Sequence, residues 1–432
     1  MTRILHAAAA LALLAAPAAA QSESGDPQTP QTLAREMFAQ ANDAMANEDY
    51  EAARRLLEAA LDLKPAHPAI LRGLATVGQR ADRPEDVFSA LERLATAGLT
   101  LDPAPFSDLL ERADSDRFAA LSAWLAENAA PAGRAEVAAE IDRPGALIEG
   151  VAIDIETDRL FVSSVTGREI LLLEPFARDE PQVFADRGDG LWSVFGLAVD
   201  DRTRVVWAGS AAIDQTPMDA GEAEGTALFA FDLVTGELYG RYDIEGAGQI
   251  ADFTVRDGTV YASDSAESRI YVLDSVSGEL EVLAEDPRFV SLQGVALARG
   301  ALYVADYATG LWRIDLGDRS VSLVRAGSES LIGLDGLRQT RDGRLIAVRN
   351  GSRPYQVMAI DLNDEGDAVA STEVLLRAHP AMGGDLAEPT LVDPADGRAW
   401  LVANSAWPRF NAPDEAGGDE QPPTVILEID LP

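Results

Sequence analysis

The sequence has no cysteine. That excludes a disulfide framework, a thiol nucleophile, a thiolate metal site and a lipid-modified cysteine anchor. Lysine is nearly as scarce, Lys64 being the only one, and histidine occurs only as His6, His67 and His379. Three scattered histidines leave little material for zinc. Positive charge is in deficit: 35 Lys and Arg stand against 72 Asp and Glu, a net charge of −37. Such a chain repels phosphate backbones, which argues against nucleic acid as a partner, and it disfavours docking on anionic membranes. No glycine-rich phosphate cradle is present: Gly246-Ala247-Gly248 lacks a third glycine and a following helix, and Lys64 is not preceded by glycine. No serine nucleophile elbow occurs either. Aromatics are only 6% of the chain, but apolar residues reach 47%, which suits a folded chain rather than acidic disorder. The surplus is carboxylate, the ligand type of hard cations such as calcium. Most of it is expected to be a solvated acidic surface.

Met1–Ala20 combines Arg3, an Ala/Leu run and the small-residue end Ala18-Ala19-Ala20. It reads as a signal peptide cut before Gln21, which predicts a periplasmic or secreted bacterial protein. Its apolar stretch is short for a membrane span, and no transmembrane segment is expected elsewhere. Residues 21–31 read as a flexible linker.

Residues 32–133 carry helical spacing. The stretch Ala41-Asn42-Asp43-Ala44, Asp49-Tyr50-Glu51-Ala52-Ala53, Leu57, Ala60 and Pro65 places small residues where two antiparallel helices would touch, and it resembles a tetratricopeptide repeat. A weaker copy follows at 68–99, and a third helical pair at 105–129. The segment is either an arm for a protein partner or an array too short to do more than pack on the next domain.

Past residue 135 the period becomes alternating, and a unit recurs six times. Its first strands centre on positions 149, 195, 252, 293, 335 and 388, at intervals of 46, 57, 41, 42 and 53 residues. Each is followed by a turn, a second strand such as Leu302-Tyr303-Val304, and a third ending near an acid, such as Leu311-Trp312-Arg313-Ile314-Asp315. Short strands at this period read as propeller blades. The fold class is therefore mostly β: a six-bladed β-propeller over 135–432, preceded by the helical domain. The chain stops after the third strand of the sixth unit, and Ala135–Asp142 has the pattern of an outer strand. It is expected to close the ring as the outer strand of the last blade, since an unclosed ring leaves an edge exposed.

Corresponding residues of innermost strands converge on one mouth of the channel. Aligned by pattern they are Glu149, Phe195, Asp252, Gln293, Asp335 and Glu388. Four carboxylates around one axis must protonate or be neutralised by a cation. Calcium fits best, with magnesium or manganese as alternatives; a water-filled channel with spread carboxylates is the plain alternative. Ends of second strands, among them Asp306, Asn350 and Asn404, should face the same mouth. Long loops at 209–227 and 404–423 should leave it too, as lids or as decoration. His379 precedes the sixth blade as a proton relay or a surface histidine.

With Glu149-Gly150, Gln293-Gly294 and Asp335-Gly336 in blades one, four and five, residues 140–430 resemble the regucalcin/gluconolactonase family of six-bladed propellers. In that family a Glu-Gly, an Asn-Gly and an Asp-Gly at these blades hold one divalent metal, and the aspartate activates water against a lactone. The resemblance implies a metal site of Glu149, Gln293 and Asp335, and Asp335 as catalytic base; Asp252 stands where that family would have a neutral amide and is expected as a nearby fourth group of the metal site. Gln293 departs from the family's asparagine by one methylene. Phe195, Asn350, Asp306, Asn404, Glu388 and His379 remain as lining of a substrate pocket. The implied function is an exported metal-dependent hydrolase acting on a small-molecule lactone or related ester. The alternative is a non-catalytic propeller scaffold with a helical interaction arm.

Overall fold

The computed structural model describes residues 29–384, 386–411 and 421–432. The expected signal peptide, residues 21–28 of the expected linker and residues 412–420 of the 404–423 loop lie outside them. The described chain forms two compact units. One runs to Ala130 and takes in Ala326–Ile332 and Gly351–Pro354; the other is the remainder.

In the first unit, five helical segments follow in order: α1 Pro30–Ala46, α2 Tyr50–Leu63, α3 Pro68–Arg80, α4 Pro84–Thr96 and α5 Ser107–Ala129, the last broken into two helices at Asp114, where φ is −159° and ψ 96°. Proline opens α1, α3 and α4, where its missing N–H costs nothing. Thr29 caps α1 by accepting the Thr32 N–H at 3.1 Å, and Asp49 caps α2 by accepting that of Ala52 at 3.0 Å. The small residues Ala34, Ala41, Ala53 and Ala60 are buried between helices. They join Leu57, Leu71, Phe88, Leu91 and Leu110 in one core that belongs to this unit alone.

The second unit is the six-bladed propeller, mostly strand. Blades one to three are regular four-stranded antiparallel sheets that begin, from the inside, with Ile148–Asp154, Ser193–Asp200 and Ile250–Arg256. Blade four begins with Leu292–Ala298 and ends in the short outer strand Val321–Leu323. Blade five begins with Leu334–Gln339 and gains a fifth, outermost strand, Ala132–Gly133, beside Val369–Arg377. Blade six takes three strands from the end of the chain and its outer strand from before blade one: Ala135–Ile141 pairs antiparallel with Thr424–Asp430. The ring is thus held shut by backbone hydrogen bonds between segments almost three hundred residues apart.

The apolar core lies between blades. One cluster joins Ala152, Phe161 and Ile170 of blade one to Leu197, Val206 and Phe229 of blade two. Others bridge blades two and three, three and four, five and six, and six and one. Inner strands such as Ile148–Asp154 and Val205–Ala211 are therefore buried on both faces and read as nearly continuous apolar runs, while outer strands such as Leu238–Asp243 stay largely exposed.

The inner strands share an irregularity that positions the site. Their pairing slips at Ile148/Val151, Val194/Leu197, Ile250/Asp252, Leu292/Val295 and Leu334/Leu337. Such bulges re-aim a side chain, and in blades one, two, four and five they contain a residue–glycine pair, while blade three has Ala251-Asp252 there. The glycine is required by the neighbouring blade: a Cβ on Gly336 would stand 2.7 Å from Thr390 O, and one on Gly294 would collide with the Leu337 amide nitrogen.

Candidate functional site

The bulge register corrects the alignment of the ring. Ser163 Oγ donates to Phe195 O at 2.5 Å and Ser263 Oγ donates to Gln293 O at 2.5 Å, so these serines are equivalent. Val162 pairs with Val151 and Ala262 with Phe253. Ala251 therefore matches Glu149, and Asp252 falls at the glycine position. In blade six, Thr390 O faces Gly336 as Asp335 O faces Gly294, which makes Thr390 the sixth ring residue. Its hydroxyl donates to Glu149 O at 2.8 Å. The ring is Glu149, Phe195, Ala251, Gln293, Asp335 and Thr390, with two acids rather than four.

Asp252, expected beside the metal, is consequently turned away from the mouth. Its carboxylate is fully buried and takes both terminal nitrogens of Arg338, one of them at 2.8 Å. Arg338 also donates to Leu197 O at 3.3 Å and Leu337 O at 3.0 Å, and it faces Asp393. Burial raises Asp393 to about 6, against the pull of Arg338. This charged plug occupies the channel between the inner strands.

The mouth itself is a cavity of about 410 Å³ lined by Glu149, Gln293, Asp335, Glu388, Asn350 and Tyr307, with Gln249, Ser265, Ala266, Ser291, Trp407 and Asn411. That is ample for a small molecule. Glu149, Gln293, Asp335, Asn350 and Glu388 thus come together as expected. Glu388 arrives from two residues before the ring position, where its N–H donates to Ser405 O at 2.9 Å. A second cavity, of about 230 Å³, is lined by turn residues such as Thr340–Asp342 and Asp396-Gly397; it holds none of these groups.

The other sequence candidates go elsewhere. Phe195 is buried under the mouth with Leu147, Val165 and Ala211. Asp306 is fully buried and accepts the backbone N–H groups of Val290, Ala308 and Thr309 at 2.7, 3.0 and 3.1 Å; it holds loops. Asn404 donates to Pro423 O at 3.0 Å and accepts the Val425 N–H at 2.7 Å. His379 Nδ1 accepts the Ala381 N–H at 3.2 Å and does not line the cavity. Seven lining residues were not among the sequence candidates: Gln249, Ser265, Ala266, Ser291, Tyr307, Trp407 and Asn411. Tyr307 sits one place beyond the strand-end position that drew attention to Asp306. Trp407 lies outside the repeat, in the 404–423 connection that was expected to leave this mouth, but no pattern singled it out there.

Electrostatics concentrate at Glu149 and Asp335. Burial pushes Glu149 well above the usual carboxylate range; the Asp335 charge adds to this, a hydrogen bond from Trp407 opposes it, and Glu388 raises it further. Burial lifts Asp335 to about 7, against a 2.6 Å hydrogen bond donated by Asn350 Nδ2. Burial and the Glu388 and Asp335 charges also push the Tyr307 phenol up, so it is a neutral donor. Asn350 Nδ2 donates in addition to Pro389 O at 2.8 Å. With both amide protons committed to acceptors, its orientation is settled, and Asn350 Oδ1 is left buried without a donor.

Among the described residues no three Asp, Glu or His side chains are grouped as a metal site. A cation in this mouth would depend on amide oxygens beside the carboxylates. Gln293 and the orphaned Asn350 Oδ1 supply them, so the donor set fits a hard cation.

No protein-family profile matches this chain. No curated protein matches it either. Solved structures with a similar fold include a gluconolactonase from Xanthomonas campestris, at 15% identity over 70% of this chain and 100% of that one, TM-score 0.45. A calcium-binding regucalcin from Agrobacterium tumefaciens is similar at 16% identity, over 68% and 96%, TM-score 0.46. A PQQ-bound aldose sugar dehydrogenase from Streptomyces coelicolor is similar at 16%, over 70% and 99%, TM-score 0.42. Propellers of this kind host unrelated chemistries, so function must be argued from the site.

Proposed function

We propose that the mouth binds one divalent cation, calcium in the first instance, and that the protein is a metal-dependent hydrolase of a lactone or related ester. The observation that carries this reading is the convergence of Glu149, Asp335 and Glu388 on one cavity beside a buried amide oxygen, Asn350 Oδ1, that lacks a donor. Glu149, Asp335, Gln293 and Asn350 would hold the cation. When bound it would polarise a substrate carbonyl.

Asp335 is the base. Its carboxylate lines the cavity beside Glu149 and Gln293, where it could take a proton from an attacking water. Asn350 fixes one Asp335 oxygen, leaving the other for the proton transfer. Tyr307 stays protonated and can donate to an oxygen of the substrate. Glu388 adds a negative charge, which favours neutral over anionic substrates.

The leader pattern of residues 1–20 supports export, and the separate core of α1–α5 supports a unit able to meet a protein partner. If no ester or lactone is turned over while calcium still binds, the scaffold reading replaces the hydrolase.

One experiment tests the main reading. The chain is purified from the periplasm of a bacterial host, its mass checked for a start at Gln21, its metal measured, and a lactone panel assayed with Asp335→Asn alongside. Expected are about one divalent ion per chain and a loss of about 10²–10⁴-fold in rate for Asp335→Asn. A metal-free protein whose melting ignores both calcium and chelator refutes the cation site.

A further inference from the structure

The wall of the pocket beside Glu149 is not built by the six-fold repeat. It comes from Ser405–Asn411, in the connection between the second and third strands of blade six, where the short helix Trp407–Asn411 forms. There the Trp407 indole N–H donates to Glu149 Oε2. Ser405 Oγ donates to the same oxygen at 3.3 Å. The indole is also fixed from behind: it lies nearly parallel to Phe195, with centroids 6.4 Å apart and ring planes at 9°. Phe195 is itself locked in a small apolar cluster with Leu147, Val165, Ala211 and Ala406, to which Trp407 and Phe410 are packed. Gln215 Nε2 donates to Asn411 Oδ1 at 3.1 Å, tying the helix to the 209–227 loop.

These contacts bear on one oxygen of one carboxylate. Glu149 lines the mouth on a flexible side chain that could adopt several orientations. Two donors on Oε2 select one orientation of the carboxylate and leave Oε1 as the oxygen free to meet a cation. We propose that Trp407 is a positioning residue for cation binding: it acts through Glu149, holding that carboxylate in one orientation at the mouth. This rests on the cation reading of the mouth. Partners that orient a metal-binding side chain are typically worth about 10–100-fold in metal affinity.

The indole also supplies the measurement, because a tryptophan this close to a ligand carboxylate sensitises bound terbium(III). Terbium and calcium are titrated by calorimetry into the full-length mature protein and into Trp407→Phe, which keeps a ring against Phe195 and removes the N–H. Terbium emission excited through indole is recorded in parallel. The wild type is expected to bind one terbium, displaceable by calcium, with an indole band in its excitation spectrum. Trp407→Phe should bind both ions about 10–100-fold more weakly and lose that band. Equal calorimetric affinity in the two proteins overturns the positioning role and leaves the cation site standing. No binding by the wild type overturns the cation reading, and this inference with it. Should Trp407→Phe not fold, the wild type decides: bound terbium without an indole band overturns the placement of Trp407 against the site.

Discussion

His67 opens α3 without capping it: it is 2% exposed, and its Nδ1 has no hydrogen-bond partner. Burial, with Lys64 and Arg72 nearby, lowers its pKa from 6.5 to about 3. Between those values the unfolded chain binds a proton that the folded chain refuses. Stability from this group is therefore complete above pH 6.5 and is lost as pH falls toward 3, at up to about 1.4 kcal/mol per pH unit. The His67 ring resonances should show no titration from pH 8 to 5 by NMR, and the urea midpoint of the helical signal should fall across that range. A midpoint near 6.5 for His67 would contradict its burial. The same scale explains Asp252. Its acidity is visible in the sequence, but its neutralisation by Arg338, 86 residues on, is not.

Ala135–Ile141 decides whether the propeller is a ring. Its Ala139 and Ile141 point inward, 2% and 1% exposed, while Glu136 and Glu140 face solvent. Ile141 joins Val162, Leu171 and Ile426 in the cluster between blades six and one. Ile141→Asp buries an unpaired charge at the closure and should cost about 3 kcal/mol or more. Glu140→Gln on the outward face should change stability by less than about 0.5 kcal/mol. Thermal melts of the two variants check this; equal melts would mean that the strand does not close the ring. That this segment belongs to the last blade is legible in the sequence, because the sixth unit lacks a fourth strand and the segment carries an outer strand's half-polar pattern. The five-stranded blade is not legible, since two residues such as Ala132-Gly133 carry no periodicity.

At the scale of the whole molecule, a net charge of −37 makes self-repulsion a standing cost of compactness. Screening should relieve it. The melting temperature should rise by a few degrees from 0.01 to 0.5 M NaCl in chelator, as the Debye length falls from about 30 Å to a few Å. A flat or falling curve would mean that the local Arg–carboxylate pairs already balance the field. Composition alone determined that acidic, cysteine-free character, and the recurrence of a three-strand pattern determined the number of blades, because both are properties of local sequence. The Glu149, Gln293 and Asp335 positions were legible for the same reason: each precedes a glycine that the neighbouring blade demands. Blade three has no such glycine, so the pattern could not say whether Ala251 or Asp252 faces the mouth, and a slip of one residue reverses every side chain of a strand. Only the tertiary structure decided it, through the inner-strand bulge and the Arg338 side chain. It alone also brought Trp407 to Glu149 across 258 residues of chain, since contacts between a loop and a strand that distant follow from closure of the ring and leave no period in the sequence.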